Sequence, residues 1–271
     1  MQVYQQEDDL IERWQWNDPA LRNLSDVVLS LLHGQRNPDR WRGGRALDLG
    51  CGSGRMAAGL AAAGFAVDGI DVEQRAVAIG QRIMARRGLA VRLYAGDVYD
   101  PQQPVAVGGY DLVSCTEVLE HVGAWRELLA RGGELLRPGG TLIISVPRDP
   151  GQFSVLDSYA GHMRRFRDHE LLAELQSGYE QITVRCLGFP SMRMIVWAYT
   201  NALKLTNRSH ASQSQSLWRE PSPAKRLAVV AFYRLLKFDN LFARLPLGTT
   251  LVVRARKRDK EMGRQGDKET R

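Results

Sequence analysis

The stretch Arg45-Ala-Leu-Asp-Leu-Gly-Cys-Gly-Ser-Gly-Arg55 decides the fold of this 271-residue chain. Its first five residues suit a buried parallel strand, three glycines then alternate at Gly50, Gly52 and Gly54, and a helix-like run begins at Met56. A strand, a glycine turn and a helix N-terminus let a ligand lie against bare backbone. The dinucleotide fingerprint places its third glycine five residues after the first, a position that Arg55 occupies here. The stretch therefore predicts a nucleotide-like ligand at the end of the first strand.

The residues that follow alternate between strand-like and helix-like runs. Further strands are predicted at 65–71, 90–94, 110–115, 141–146 and 181–187, and a last one at 249–255. Such alternation with right-handed crossovers produces a doubly wound, Rossmann-like α/β fold with a mostly parallel sheet. The ligand is then expected where the carboxyl ends of the first four strands meet.

Composition and cysteine usage are typical of a reduced, cytoplasmic, globular protein. Cys51, Cys115 and Cys186 are scattered and show no ligand-like pairing. The N-terminal residues are polar and acidic, unlike a signal peptide, and the longest apolar run, near 227–232, is too short to span a bilayer.

Charge is distributed unevenly along the chain. Residues 1–150 hold 16 Arg and Lys against 19 Asp and Glu, whereas residues 151–271 hold 21 against 11. A basic C-terminal half indicates an acidic substrate, a membrane surface, nucleic acid or a solvated face with a basic tail, and we favour the last.

Two acidic residues follow strand ends at positions suited to a nucleoside. Asp71 ends the second strand, 17 residues after Gly54, where it can accept both ribose hydroxyls or cap the next helix. Asp97 follows the third strand, where it can bond an adenine amino group while Val98 packs on the ring.

Four signals in this order carry a family resemblance. They are D-L-G-C-G-S-G at 48–54, Asp71, G-D-V at 96–98, and Y-D-L-V-S-C-T-E-V-L-E-H at 110–121 followed by L-R-P-G-G-T-L at 136–142. Residues 45–147 thereby resemble the class I S-adenosylmethionine (SAM)-dependent methyltransferases. The resemblance implies a seven-stranded sheet with an antiparallel last strand and SAM as cofactor. It implies cofactor contacts from Asp48, Gly50, Cys51, Gly52, Gly54, Asp71, Val72, Asp97, Val98 and Thr116.

A dense cluster of acid and imidazole groups ends the fourth strand. The spacing of Glu117, Glu120 and His121 predicts one face of a helical turn, directed at the site of the methyl acceptor. Three roles stay open for it: a general base, the ligands of a divalent cation such as Mg²⁺, or a cap that orients the helix and substrate loop.

A downstream histidine bears on the choice among these roles. The E-x-x-E-H string and the later His162-Met-Arg-Arg-Phe166 resemble two metal-using families, the ubiquinone-biosynthesis O-methyltransferases and the small-RNA 2′-O-methyltransferases. The resemblance implies metal ligands at Glu117, Glu120, His121 and His162. It leaves Glu117, His121 and His162 as the catalytic candidates, and Arg164 and Arg165 as contacts for an anionic acceptor.

The chain divides into five predicted parts. Residues 1–44 form an N-terminal helical arm with a helix at 19–32 and tryptophans at 14, 16 and 41, which we interpret as packing anchors rather than a cover over the cofactor. Residues 45–187 form the core, 188–248 a late helical insertion that acts as acceptor lid, 249–255 the last core strand, and 256–271 a disordered basic tail. Within the insertion, 221–245 alternates apolar and basic residues, which suits packing onto the sheet or peripheral contact with an anionic membrane.

The function that follows is SAM-dependent methyl transfer to an oxygen of a small molecule: phenolic, quinone-like, a sugar or another secondary metabolite of a bacterium. The alternatives are an RNA 2′-O-methyltransferase and a SAM-binding protein that cyclises or regulates without methylating. Few aromatic residues lie among the basic ones and no RNA-binding module is recognisable, so nucleic acid is not the expected partner. The sequence does not give the oligomeric state.

Overall fold

The computed structural model describes residues 16–33, 43–206 and 223–259. Trp14, Trp41, the predicted loop 210–216 and residues 260–271 of the predicted tail lie outside the described residues.

Seven strands and eight α-helices make up the described part of the chain. The strands are β1 Arg45–Leu49, β2 Ala66–Asp71, β3 Val91–Ala95, β4 Tyr110–Thr116, β5 Leu136–Pro147, β6 Tyr179–Leu187 and β7 Thr250–Lys257. The helices are α1 Pro19–His33, α2 Arg55–Ala62, α3 Gln74–Arg87, α4 Trp125–Leu135, α5 Val155–Ala160, α6 Asp168–Gln176, α7 Ser191–Thr206 and α8 Pro223–Asp239. Short 3₁₀ turns lie at Leu119–His121, Pro150–Gln152 and Asn240–Phe242.

The strands form one sheet in the order β3-β2-β1-β4-β5-β7-β6. Strands β1 to β5 are parallel, and β7 runs antiparallel between β5 and β6. The predicted doubly wound sheet with an antiparallel last strand is confirmed. The strand order reverses between β1 and β4, and in such sheets ligands bind outside the carboxyl ends at this point.

Two predicted boundaries were wrong. The strand predicted at 141–146 begins already at Leu136, because residues 137–140 lie inside β5 as an irregularity between the Tyr110–Leu136 and Leu112–Thr141 pairs. Strand β7 extends to Lys257, which pairs with Tyr179, so the first residues of the predicted tail belong to the sheet.

Two apolar cores cover the faces of the sheet, and helix α1 packs into one of them through Leu24, Val28 and Leu32. Helix α8 lies against α1. Lys237 Nζ contacts Asp26 Oδ2 at 2.8 Å, and Tyr233 donates a hydrogen bond to the same carboxylate. The arm and the insertion are thereby joined beside the switch point. Among the described helices, none has the length and apolar character needed to cross a membrane.

Candidate active site

A cavity of about 530 Å³ opens at the carboxyl ends of β1 and β4. Its lining includes Asp48, Gly52, Thr116, Glu117, His121 and His162. The glycine loop forms one end of this cavity, and the acid and imidazole groups form the other. The structure therefore brings together residues that the sequence separates by more than 100 positions.

The glycine loop is held by backbone contacts. The Gly50 and Cys51 amides donate to the Ile70 carbonyl at 2.9 and 3.2 Å. Gly50 has φ of +67°, and a Cβ added there would meet Val118 Cγ2 at 2.4 Å. Gly52 has φ of +51°, and no atom of the residues that the structure describes lies within 4 Å of an added Cβ. Gly50 thus lets the loop pack closely against Val118, while Gly52 exposes backbone without a side chain to the cavity.

Asp48 lies at the floor of the cavity and is only 1% exposed. Its Oδ1 accepts a hydrogen bond from Ser114 Oγ at 2.7 Å, while Oδ2 has no hydrogen-bond partner among the described residues. Burial raises the pKa of Asp48 to about 6, although the Ser114 hydrogen bond, the charge of Arg55 and the Ala57 amide favour the ionised form. The described residues therefore leave this buried carboxylate oxygen without a hydrogen-bond donor.

Asp71 bridges the glycine loop and the start of α3. Its Oδ2 accepts from the Gly52 amide at 2.7 Å, and its Oδ1 accepts from the Glu73 amide at 2.8 Å. The residue that caps α3 is Glu73, whose side chain accepts from the Arg75 amide. The predicted alternative in which Asp71 itself caps this helix is wrong, and its carboxylate instead fixes the loop beside β2.

The remaining predicted cofactor residues lie along the adjoining strand ends. Val72 is 77% exposed directly after β2. Asp97 is exposed and accepts a hydrogen bond from the Tyr99 amide at 3.0 Å, whereas Val98 is buried. These three residues do not line the cavity.

Glu117 adopts a left-handed backbone conformation, with φ of +55°, immediately after β4. Ser145 of β5 fixes it, because Ser145 Oγ donates to Glu117 Oε1 at 2.8 Å and the Ser145 carbonyl accepts from the Glu117 amide at 3.0 Å. The prediction that Glu117, Glu120 and His121 share one helical face was wrong, since only Leu119–His121 forms a turn. Burial raises the pKa of Glu117 against the opposing effects of Ser145, His162 and Arg165.

Glu120, His121 and His162 each direct a potential ligand atom to a common point, with these atoms all within 4.8 Å of one another. Glu120 is fully buried, and neither of its oxygens has a hydrogen-bond partner among the described residues. Its Oε1 lies 3.8 Å from His162 Nε2 and 4.0 Å from His121 Nε2. Three of the four predicted metal ligands thus converge, while the fourth, Glu117, bonds to Ser145.

Both imidazole rings are oriented by contacts on their far sides. His121 Nδ1 lies 3.1 Å from the Gly161 carbonyl, and His162 Nδ1 lies 2.9 Å from Asp157 Oδ1. Since both oxygens only accept, each Nδ1 donates to its partner, and each Nε2 faces Glu120. The two rings meet edge to face, with centroids 5.0 Å apart.

The charges of this cluster are unusual for a protein interior. Desolvation raises the pKa of Glu120 well above its ordinary value, and the nearby charges of Glu117 and Asp157 act in the same direction. Burial lowers the pKa of His121, so this ring is neutral at pH 7. Burial opposes ionisation of Asp157, but hydrogen bonds from His162 and Arg165 outweigh it and lower the pKa of Asp157.

Sequence reasoning missed Asp157 and Ser145. Asp157 stands three residues after Ser154 in a capping box that both side chains complete, so a helix start explains it locally. Ser145 lies within an apolar strand, where nothing in the sequence distinguishes it. Arg165, predicted as an acceptor contact, lines the cavity but donates to Asp157 and to the Arg148 carbonyl.

The N-terminal arm and the insertion complete the wall of the cavity. Leu21 of α1 and Met192 and Val196 of α7 line it. Trp16 donates from its indole nitrogen to Ser53 Oγ at 3.1 Å, and the guanidinium of Arg87 lies 4.0 Å from its ring. Trp16 thus packs on the glycine loop, in agreement with the interpretation as an anchor.

Comparison with known sequences gives one family and a set of relatives. A family profile described as "Methyltransferase domain" matches residues 7–182. The ubiquinone biosynthesis O-methyltransferase of Burkholderia multivorans is 32% identical over 143 residues, which are 51% of this chain and 59% of the relative. That of Burkholderia pseudomallei is 31% identical over the same shares. The chain thus spans less than two thirds of the length of these curated relatives.

Comparison with solved structures supports the same fold. Haemonchus contortus phosphoethanolamine N-methyltransferase 2, in complex with SAM, has a TM-score of 0.59 at 17% identity, covering 93% of this chain and 57% of that one. The [4+2]-cyclase SpnF has a TM-score of 0.55 at 23% identity, covering 86% and 81%. At such identities the likeness concerns the fold alone.

Proposed function

The chain belongs to the family of methyltransferase domains, and we propose that it is a SAM-dependent enzyme that methylates an oxygen atom of a small-molecule acceptor. The observation that carries this proposal is one cavity lined both by the glycine loop and by His121 and His162, whose Nε2 atoms lie 4.0 and 3.8 Å from the buried Glu120 Oε1. One end, with the bare backbone at Gly52 and the buried carboxylate of Asp48, suits the charged amino-acid part of SAM. The other suits a polar group that must lose a proton. The 32% identity with ubiquinone biosynthesis O-methyltransferases favours a phenolic or quinone-like acceptor.

The cofactor is proposed to lie across the strand ends. The methionine part of SAM follows the bare backbone at Gly52, and its ammonium group donates to Asp48 Oδ2, the buried oxygen that has no partner in the described chain. Asp71 accepts from the ribose hydroxyls after releasing the Gly52 amide. Asp97 and Val98 border the adenine ring, and Thr116 borders the sulfonium.

The acceptor end of the cavity fits a divalent cation. A buried carboxylate without hydrogen bonds is costly unless a positive charge satisfies it, and two imidazole Nε2 atoms face the same point. Metal-ligating histidines typically donate the N–H of their other ring nitrogen to a carbonyl or carboxylate oxygen, as the Nδ1 atoms of His121 and His162 do here. Glu120, His121 and His162 would hold the cation. When bound, such a cation supplies charge that lowers the pKa of a contacting hydroxyl group.

Methyl transfer is an in-line displacement, so positioning of the acceptor contributes much of the rate. The acceptor oxygen attacks the methyl carbon, a carbon–oxygen bond forms, the carbon–sulfur bond breaks, and the sulfonium becomes a neutral thioether. The hydroxyl proton goes to Glu117, which lines the cavity, has a raised pKa and is aimed by Ser145. Met192 and Val196 of α7 cover the acceptor and exclude water.

A panel assay for S-adenosylhomocysteine formation tests the proposal. The full chain would be incubated with SAM, Mg²⁺ or Mn²⁺, and matched acceptors that present a phenol, a catechol, an aniline or no polar group on the same ring. We expect product from the hydroxyl compounds only. Turnover of the aniline alone would overturn oxygen as the acceptor atom. Cofactor binding without turnover across a broad panel would favour a protein that binds SAM without methylating.

A further inference from the structure

The whole net charge of the chain resides in its insertion. Residues 188–248 contain nine Lys and Arg against two Asp and Glu, a net charge of +7. The remaining residues contain 28 of each sign and are neutral overall. A solvated surface needs no such segregation, so this concentration requires its own explanation.

The same insertion also carries most of the exposed apolar surface. Ten of the seventeen large hydrophobic side chains that are exposed in the described chain lie within it. On α8, Leu227 is 71% exposed and Phe238 is 52% exposed, and Leu241 just beyond the helix is 75% exposed. Leu236, on the opposite side of the helix, is buried against α1. Helix α8 is therefore apolar on both sides, and only one side is covered.

Helix α7 repeats this arrangement. Met192 and Val196 face the cavity, while Met194 and Trp197 are 66% and 70% exposed on the other side. A tryptophan presented in this way is typical of side chains that settle at a membrane–water boundary.

The exposed charges that border these apolar side chains are positive. Arg193, Arg226, Arg234 and Arg244 are exposed in the described insertion. The acid described there, Asp239, is 1% exposed and accepts from the Ser191 and Met192 amides. Basic residues around an apolar stripe complement a negatively charged, partly apolar surface.

We propose that the outer faces of α7 and α8 dock onto an anionic lipid bilayer. Their apolar side chains enter the headgroup boundary, and the arginines contact lipid phosphates. A second copy of the chain fits less well, because a symmetric interface would bring a net charge of +7 against itself. Nucleic acid would leave the aliphatic side chains of α8 exposed. The proposal does not depend on the methyl acceptor.

Vesicle flotation of the full chain tests the docking. Extruded vesicles of phosphatidylcholine alone would be compared with vesicles containing about one third phosphatidylglycerol. We expect partitioning into the anionic vesicles to exceed that into the neutral ones by at least about tenfold. This partitioning should weaken as the salt concentration rises.

Two variants sharpen the test. The triple variant R193Q/R226Q/R234Q and the variant W197S/L227S/F238S should each lose at least about tenfold in partitioning. The matched control R75Q/R82Q/R86Q removes the same charge from exposed positions of α3 and should partition like the wild type. Melting curves would confirm that each variant folds, and the arginine variant keeps the test valid if the apolar one does not.

Three results would overturn the proposal. They are absence of binding to anionic vesicles, equal loss in the α3 control, and a dimer in light scattering that both insertion variants dissociate. The last result would assign the surface to a second copy of the chain.

Discussion

The two ends of the cavity are built in opposite ways. At the cofactor end, the glycine loop is closed by its own amides and by Asp71, and one buried oxygen, Asp48 Oδ2, is left without a donor in the described residues. At the acceptor end, Glu120 is buried with neither oxygen hydrogen-bonded to a described residue, beside two imidazoles whose Nδ1 atoms are held by Gly161 and Asp157. The cofactor end thus leaves one buried oxygen without a donor among the described residues, whereas the acceptor end buries a whole carboxylate whose pKa is raised well above its ordinary value.

This difference allows cofactor binding and activation of the acceptor to be changed separately by mutation. A change at the glycine loop should alter cofactor affinity and leave the acceptor cluster intact. A change at Glu120, or at Asp157 behind His162, should alter the acceptor cluster and leave cofactor affinity unchanged. The Cβ atoms and hydrogen bonds of the glycine loop do not touch this cluster. The following four changes test that separation, in order of decreasing expected effect.

Glu120→Gln should reduce turnover by more than about 100-fold, beyond the range of changes to outer partners of a metal ligand. The pKa of Glu120 is raised in the folded state, so without cation its carboxylate lowers stability as pH rises above its ordinary value. The metal-free variant should therefore melt above the wild type at pH 7 and close to it at pH 5. Glu127→Gln, on the exposed side of α4, is the control. Unchanged turnover in the Glu120 variant would contradict a role for the cluster.

Asp157→Asn should weaken cation binding by about 10- to 100-fold, because His162 loses the charged acceptor that orients its ring. Affinity for S-adenosylhomocysteine should stay the same, since Asp157 is remote from the glycine loop in its contacts. Both are measured by titration calorimetry. Asp149→Asn is the control, as Asp149 is the N-cap of a 3₁₀ turn whereas Asp157 completes the capping box of α5 from its third position. Equal losses of cation affinity in the two variants would mean that Asp157 acts only in capping its helix.

Gly52→Ala should weaken SAM binding by about tenfold, or about 1.4 kcal/mol. Its added methyl enters space that is open among the described residues, on the side of the cavity, while the φ of +51° costs the alanine about 1–2 kcal/mol of stability. Gly50→Ala should instead destabilise the fold by about 1–3 kcal/mol, because its Cβ would collide with Val118. Calorimetry and urea unfolding distinguish the two effects. Identical behaviour of both variants would mean that Gly52 does not face the cofactor.

Asp48→Asn should remove a pH dependence of a few fold. The pKa of Asp48 is raised to about 6, so the carboxylate is protonated at pH 5 and ionised at pH 7. A ligand ammonium favours the ionised form, and S-adenosylhomocysteine affinity should therefore rise by about fourfold from pH 5.5 to 7 in the wild type. The variant should give a flat profile at lower affinity. A wild-type affinity that does not change with pH would mean that Asp48 does not contact the ligand ammonium group.

The fold and the cofactor end could be predicted from sequence because both depend on contiguous strings. Strand β1, the alternating glycines and Asp71 occupy one supersecondary unit, so local spacing fixes their geometry. Even there, the link between Asp71 and the Gly52 amide required the structure.

The acceptor end could be predicted only in part, because three chain segments build it. The spacing of Glu117 and Glu120 indicated a shared helical face, but the left-handed backbone at Glu117 turns that side chain to Ser145. His162 was selected from a loose resemblance, and its contact with Asp157 depends on the packing of α5. Long-range contacts of this kind leave no local period in a sequence.

The most direct test is calorimetric titration of Mn²⁺ into metal-stripped protein saturated with S-adenosylhomocysteine, in parallel with the Glu120→Gln variant. We expect one binding event per chain in the wild type, its loss in the variant, and unchanged cofactor binding in both. No heat from the wild type, or the same heat from the variant, would contradict a cation site at Glu120, His121 and His162. The acceptor would then be activated by Glu117 or an imidazole alone.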